Sequence, residues 1–87
     1  MGRLAKARHV CCLPKYARFE PQPDEAKAPV RMEVEDFECI RLIDYLGMTQ
    51  EECAVQMGVA RTTVQAIYTR ARRRLAGALV EGRPLTI

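Results

Sequence analysis

The sequence predicts an all-α fold: a three-helix core preceded by an extended basic N-terminal arm. Three observations predict it. Apolar residues recur at helical spacing in three successive stretches, about 35–46, 50–57 and 61–77. Glycines stand where those stretches stop, at Gly47, Gly58 and Gly77 or Gly82. Residues 1–29 carry prolines and basic side chains in place of any periodic pattern.

Each element follows in order. Residues 1–20 read as a basic extended segment, since Pro14 argues against a continuous helix. Pro21, Pro23 and Pro29, with Asp24, Glu25 and Lys27 between them, make 21–29 a loop or linker. The chain thus divides into an arm and linker, 1–29, and a helical domain, 30–87. Val30-Arg31-Met32-Glu33-Val34 alternates apolar and polar, as a short strand or an extended lead-in does. A helix over 35–46 would bury Phe37, Ile40 and Ile43, with Leu42, Leu46 and Cys39 as further candidates. The acids Glu33, Glu35, Asp36 and Glu38 read as its N-terminus, complementing the helix dipole.

Thr49-Gln50-Glu51-Glu52 has the form of a capping box, in which Thr49 and Glu52 satisfy each other's backbone amides. Gly58 supplies the left-handed cap that ends the second helix at Met57. The third helix starts less well, because Ala60 stands at its N-cap without a side-chain oxygen. From Arg61 onward, Val64, Ile67, Tyr68, Ala71 and Leu75 form one stripe. Pro84 makes the tail 81–87 extended. Ala54 and Gly58, with Cys53, Met57, Val59, Val64 and Ile67 inward, fit one helix-turn-helix register over Thr49–Tyr68.

Composition narrows the function. The 87 residues form one small domain, 48% apolar, without Trp and with five Phe or Tyr, which speaks against a deep enclosed active site. No apolar run is long enough to span a membrane or to serve as a signal peptide, so a cytoplasmic location without membrane partners is expected. The net charge of +3 conceals a pattern. Residues 1–18 hold five basic residues and no acid, 19–52 hold three basic and ten acidic, and 53–87 hold six Arg and only Glu81. Positive charge therefore sits on the arm and the third helix, as a nucleic-acid footprint requires. Arg70, Arg72, Arg73 and Arg74 would repel one another unless anions or acids offset them.

Four cysteines, Cys11, Cys12, Cys39 and Cys53, include no Cys-x-x-Cys pair. Cys39 and Cys53 read as small apolar core residues. His9, Cys11 and Cys12 place three soft ligands within four residues, but adjacent cysteines ligate one ion poorly and a fourth ligand is missing. No catalytic constellation, cofactor or metal site is expected, and the chain is not read as an enzyme.

The helix pair resembles region 4 of housekeeping bacterial sigma factors over Thr49–Leu75, through Thr-x-x-Glu, Gly58-Val59, Arg61, Val64 and Ile67. Gly2-Arg3, Arg8, Val10, Pro14, Phe19-x-Pro21, Asp36-x-Glu38-x-Ile40-Arg41-Leu42-x-Asp44, Gln50-Glu51-Glu52, Met57-Gly58-Val59, Arg61-x-Thr63 and Ala78–Gly82 are spread over almost the whole chain. Through them the chain resembles the DUF134 (UPF0251) family of small predicted DNA-binding proteins. Two departures stand out: Ala60 where members carry Ser, and Gly2-Arg3-Leu4 where Arg-Pro-Arg is common.

These readings predict a sequence-specific DNA-binding protein, a transcription regulator that lays helix 61–77 in the major groove. Base contacts fall to Arg61, Thr62, Thr63, Gln65 and Ala66, which occupy the helix's first turns. For Thr62 and Thr63 the alternative is local compensation for the missing cap. Backbone contacts fall to Gln50, Arg70 and Arg73, with Arg3, Lys6 and Arg8 of the arm entering a minor groove or binding phosphates. Leu75, Leu79, Val80, Leu85 and Ile87 either build a homodimer interface or cover the core of their own chain. The alternative function is an adaptor that contacts RNA polymerase or a sigma factor without reading DNA.

Overall fold

Helix α1 runs from Val34 to Cys39 and continues without a break as a π-helical stretch, Ile40–Tyr45, in the computed structural model, which describes residues 10, 13–23 and 25–87. The Leu46 N–H donates five residues back to the Arg41 carbonyl at 2.9 Å, and Gly47, at φ +80°, stops the turn. The expectation of one regular helix over 35–46 is therefore corrected. A π-turn adds a residue to the repeat and rotates the side chains that follow it. Cys39 and Leu42 are fully buried, Phe37, Ile40 and Ile43 only half-buried, and Leu46 is 51% exposed.

Helix α2, Gln50–Met57, has both halves of its capping box. Thr49 Oγ1 accepts from the Glu52 N–H at 3.1 Å, and Glu52 Oε1 accepts from the Thr49 N–H at 2.9 Å. Gly58 closes the helix at φ +69°, a left-handed conformation that costs a residue with a Cβ more. Helix α3, Arg61–Glu81, begins after Ala60, which is extended and offers no side-chain cap. Its end is Gly82 and not Gly77, so it runs four residues beyond the expected 77. Replacing Ala60 with Ser should raise stability by about 1 kcal/mol and raise Tm accordingly. An unchanged or lower Tm would contradict this helix start.

The all-α expectation is wrong. Strands β1 (Arg18–Phe19), β2 (Val30–Arg31) and β3 (Leu85–Thr86) form a mixed three-stranded sheet in the order β1-β3-β2. Strand β3 pairs antiparallel with β1, Arg18 opposite Thr86, and parallel with β2, Val30 opposite Leu85. Strand β2 opens the stretch Val30–Val34, whose alternation reads as a short strand or extended lead-in, whereas the two-residue strands at 18–19 and 85–86 leave no alternation to detect. Their pairing depends on where α3 stops. Lys27 Nζ donates to the Glu81 carbonyl at 2.7 Å, and Arg83 Nε donates to the Ala28 carbonyl at 2.8 Å. These bonds pin the linker against the end of α3 and guide the tail between β1 and β2.

Two apolar clusters result. One joins Cys39, Leu42, Cys53, Ala54, Met57, Val64 and Ile67 from all three helices. The other joins Val30, Met32, Ala71, Ala78 and Leu85, with Ile40, Leu75 and Ile87 packed against it. Leu75, Leu85 and Ile87 thus cover their own core, while Leu79 and Val80 are 75% and 85% exposed. Among the described residues, no helix is long and apolar enough to cross a membrane.

The seam between α1 and α3 is ionic. Asp36 and Glu38 are both fully buried. Asp36 Oδ2 accepts from Arg74 Nη1 at 2.6 Å and from the Glu33 N–H at 3.0 Å. Asp36 Oδ1 accepts from Arg70 Nε at 3.0 Å and also from Arg70 Nη2. Glu35 takes a further bond from Arg70 Nη2 at 2.8 Å. Glu38 is held bidentately by Arg41 at 3.0 and 3.1 Å. Buried carboxylates require this degree of pairing.

Candidate nucleic-acid interface

Helical periodicity divides α3 into two faces. Val64, Ile67, Ala71 and Ala78 are buried, which turns Arg61, Thr62, Gln65, Ala66, Thr69, Arg72 and Arg73 outward. Thr62, Gln65, Ala66, Thr69, Arg70 and Arg73 line a depression of about 540 Å³. Among the described residues, the side chains of Thr62, Gln65, Thr69 and Arg73 have no intramolecular hydrogen bond or ion pair, so their donors and acceptors face solvent. Thr69 belongs to this face although base and backbone contacts were expected elsewhere; its spacing of four from Gln65 is the signal that places it there.

The expected base-reading residues separate. Thr62, Gln65 and Ala66 are exposed side by side, whereas Thr63 is half-buried. Arg61 is exposed and reaches across the turn: its Nη1 donates to Gln50 Oε1 at 3.1 Å, and its Nε stands 3.9 Å from Glu51 Oε2. Gln50 and Arg61, eleven residues apart in sequence, thus meet at one end of this face.

The four-arginine block is not a uniform positive patch. Arg70 and Arg74 lie on Asp36, and Arg72 stands 3.6 Å from Asp44 and 5.3 Å from the Tyr68 ring centroid. Burial opposes the charged form of Arg70, yet its hydrogen bonds to Asp36 and Glu35 outweigh that cost and raise its pKa. Arg70 therefore borders the depression with its guanidinium already engaged. Arg73 is exposed and carries no ion pair among the described residues. Arg70 and Arg74 sit four residues apart on one face, opposite an acidic cluster larger than a helix dipole needs. That pattern is the sequence signal for the ionic seam.

Tyr68 Oη donates to Asp44 Oδ1 at 2.7 Å, and this hydrogen bond raises the Tyr68 pKa. Arg3, Lys6 and Arg8 lie outside the described residues, as do His9, Cys11 and Cys12. Among the described residues, no three His, Cys, Asp or Glu side chains converge as a metal site.

Cys39 and Cys53 both direct their thiols at Met57 Sδ, at 3.7 and 3.6 Å. Burial, with the neighbouring Cys53 second, pushes the Cys39 thiol from 9.0 up to about 12, and burial also raises Cys53. A raised folded-state pKa means that the native protein keeps these protons after the unfolded chain has lost them. The stability that these thiols contribute is therefore fully present below about pH 9 and is lost as pH rises towards 12. In the native protein at pH 8.5, mass-mapped alkylation should spare Cys39 and Cys53, while the urea-unfolded chain reacts at both. Rapid native labelling of either would contradict the packing.

Compared with known proteins, the chain matches the family described as "Protein of unknown function DUF134" over residues 1–87. It is 54% identical over 89 residues to a UPF0251 protein of Desulfitobacterium hafniense (strain DSM 10664 / DCB-2), spanning 100% of this chain and 71% of that one. A UPF0251 protein of Pyrococcus furiosus is 43% identical over 89 residues, spanning 99% of this chain and 82% of that one. One from Thermococcus kodakarensis is 46% identical over 83 residues, spanning 92% and 74%. No solved structure matches the chain.

Proposed function

This chain belongs to the DUF134 family, and we propose that it is a sequence-specific DNA-binding protein acting as a transcription regulator. On this reading α2 and α3 are a helix-turn-helix of the kind seen in sigma factor region 4. The first turns of α3 enter the major groove, where Arg61 takes a guanine, Gln65 an adenine, and Thr62 or Ala66 a thymine methyl. Thr69 and Arg73 follow the adjacent phosphates. The basic arm, with Arg3, Lys6 and Arg8, adds backbone contacts.

One observation carries the reading: a continuous outward face of α3 holds Thr62, Gln65, Ala66, Thr69 and Arg73, whose polar side chains have no intramolecular partner among the described residues. The same helix neutralises Arg70 and Arg74 against its own chain. A helix that merely solvated its surface would have no need to sort its arginines this way. A second copy would meet Leu79 and Val80, the apolar residues that α3 leaves exposed. The adaptor reading, with RNA polymerase as partner, would use the same two residues.

The test is binding to a duplex across a salt series. Arg73→Ala should lower affinity and reduce the slope of log K against log salt by about 0.9, the loss of one phosphate contact. Leu13→Ala, an exposed uncharged position outside α2 and α3, serves as the control and should leave the slope unchanged. A wild-type slope near zero would oppose the DNA reading, and an unchanged slope in Arg73→Ala would remove Arg73 from the interface.

A further inference from the structure

Arg61 differs from the other proposed base readers because another side chain already holds it. Its Nη1 donates to Gln50 Oε1 at 3.1 Å. A guanidinium has no acceptor, so this bond dictates which way the Gln50 amide faces: oxygen towards Arg61, NH₂ away. The two amide donors of Gln50 have no partner among the described residues. On the other side of the fork, Glu51 Oε2 stands 3.9 Å from Arg61 Nε, close enough to attract it but too far for a hydrogen bond. The guanidinium is thus bracketed by two residues of α2, with its Nη2 donors unspent.

Gln50 is the first residue of α2, and its two side-chain amide donors are available to an acceptor outside the chain. A long arginine that is free in solution loses rotamer entropy when it docks on a base, and one already braced loses less. The bond between Gln50 and Arg61 can therefore transmit to one side chain the position of the other.

Resting on the DNA-binding reading above, we propose that Gln50 is a positioning residue that couples backbone anchoring to base readout. Its amide oxygen orients the Arg61 fork towards a guanine while its amide N–H groups hold a phosphate. Arg61 then discriminates only when the protein sits in register on the backbone.

The experiment begins with the duplex sequence that the wild-type protein selects from a random pool, and with variants of that duplex changed one base pair at a time. Gln50→Ala, Gln50→Glu and Arg61→Ala are measured singly, together with the Gln50→Ala and Arg61→Ala double variant. Gln50→Ala should reduce discrimination about tenfold at the base pair that Arg61→Ala identifies, and at no other. It should add nothing at that pair once Arg61 is gone. Gln50→Glu still accepts from Arg61 but cannot donate to a phosphate, so it should keep the discrimination while weakening binding to every duplex. The Thr49 and Glu52 cap is untouched in all variants, so Tm should hold. Equal weakening of every duplex by Gln50→Ala, with discrimination intact, would overturn the coupling and leave the DNA reading standing. A wild-type protein that selects no sequence would overturn both.

Discussion

Asp36→Ala should lower stability by about 3 kcal/mol, which is the low end of the cost of removing one partner from a buried ion cluster. For a domain of this size that is a fall in Tm of about 15 °C. The physical reason is that Asp36 is fully buried and accepts from Arg70, Arg74 and the Glu33 N–H at once. Its removal leaves two neighbouring guanidiniums of α3 at the α1 seam, Arg74 without its carboxylate and Arg70 with Glu35 alone. The low end applies because the Arg70 and Arg74 side chains are 38% and 33% exposed, so water reaches them. Asp36→Asn should cost less, since an amide oxygen still accepts from a donor. The comparison is Glu20→Ala, which breaks the half-exposed pair with Arg18 and should cost about 0.5 kcal/mol or less. Thermal melts of the three variants check the ranking. Equal costs for Asp36 and Glu20 would mean that the seam does not hold α1 to α3.

Arg61→Ala should weaken binding to the selected duplex by about 1–3 kcal/mol, or roughly 5- to 150-fold, and relax preference at one base pair. Stability should change little, because the Arg61 side chain is half-exposed and its ionic contact to Glu51 is long and solvated. That separation matters. A loss of affinity with an unchanged Tm belongs to the interface, whereas a loss that tracks Tm belongs to the fold. Arg74→Ala supplies the opposite case: it should destabilise through Asp36 and affect affinity mainly through folding.

Local chemistry made much of this fold legible in sequence. The Thr49 and Glu52 pair, Gly58 and the start of α3 after Ala60 each follow from residues within four positions of one another. The buried stripe of Val64, Ile67 and Ala71 follows from helical period alone. What was not legible is non-local. The sheet joins residues 18–19, 30–31 and 85–86; the alternation over Val30–Val34 points to one of these strands, but the other two are too short to show a period and the pairing is long-range. The acids at the start of α1 read as partners of the helix dipole, but two of them turn inward to meet arginines. Asp36 meets Arg70 34 positions later, which no local pattern shows, while Glu38 meets Arg41 at the i,i+3 spacing of one helix face. Over the π-helical stretch 40–45, Leu42 is fully buried and Ile43 only half-buried, where a regular helical period puts Ile43 inward first. The candidate interface was legible in its outline, since Thr62, Gln65, Ala66 and Arg73 fall on one exposed face. Arg70 borders that face, but its pairing with Asp36 and Glu35 was not legible because those partners lie in another helix.

Whether the outward face of α3 reads DNA is decided by selection from a random-sequence duplex pool at about physiological salt. Wild-type protein and Arg61→Ala are carried through the same rounds. The expected result is a defined motif with the wild type and loss of preference at one position with Arg61→Ala; a palindromic motif would add a dimer. Binding without any enriched motif, or no binding, would contradict base readout by α3.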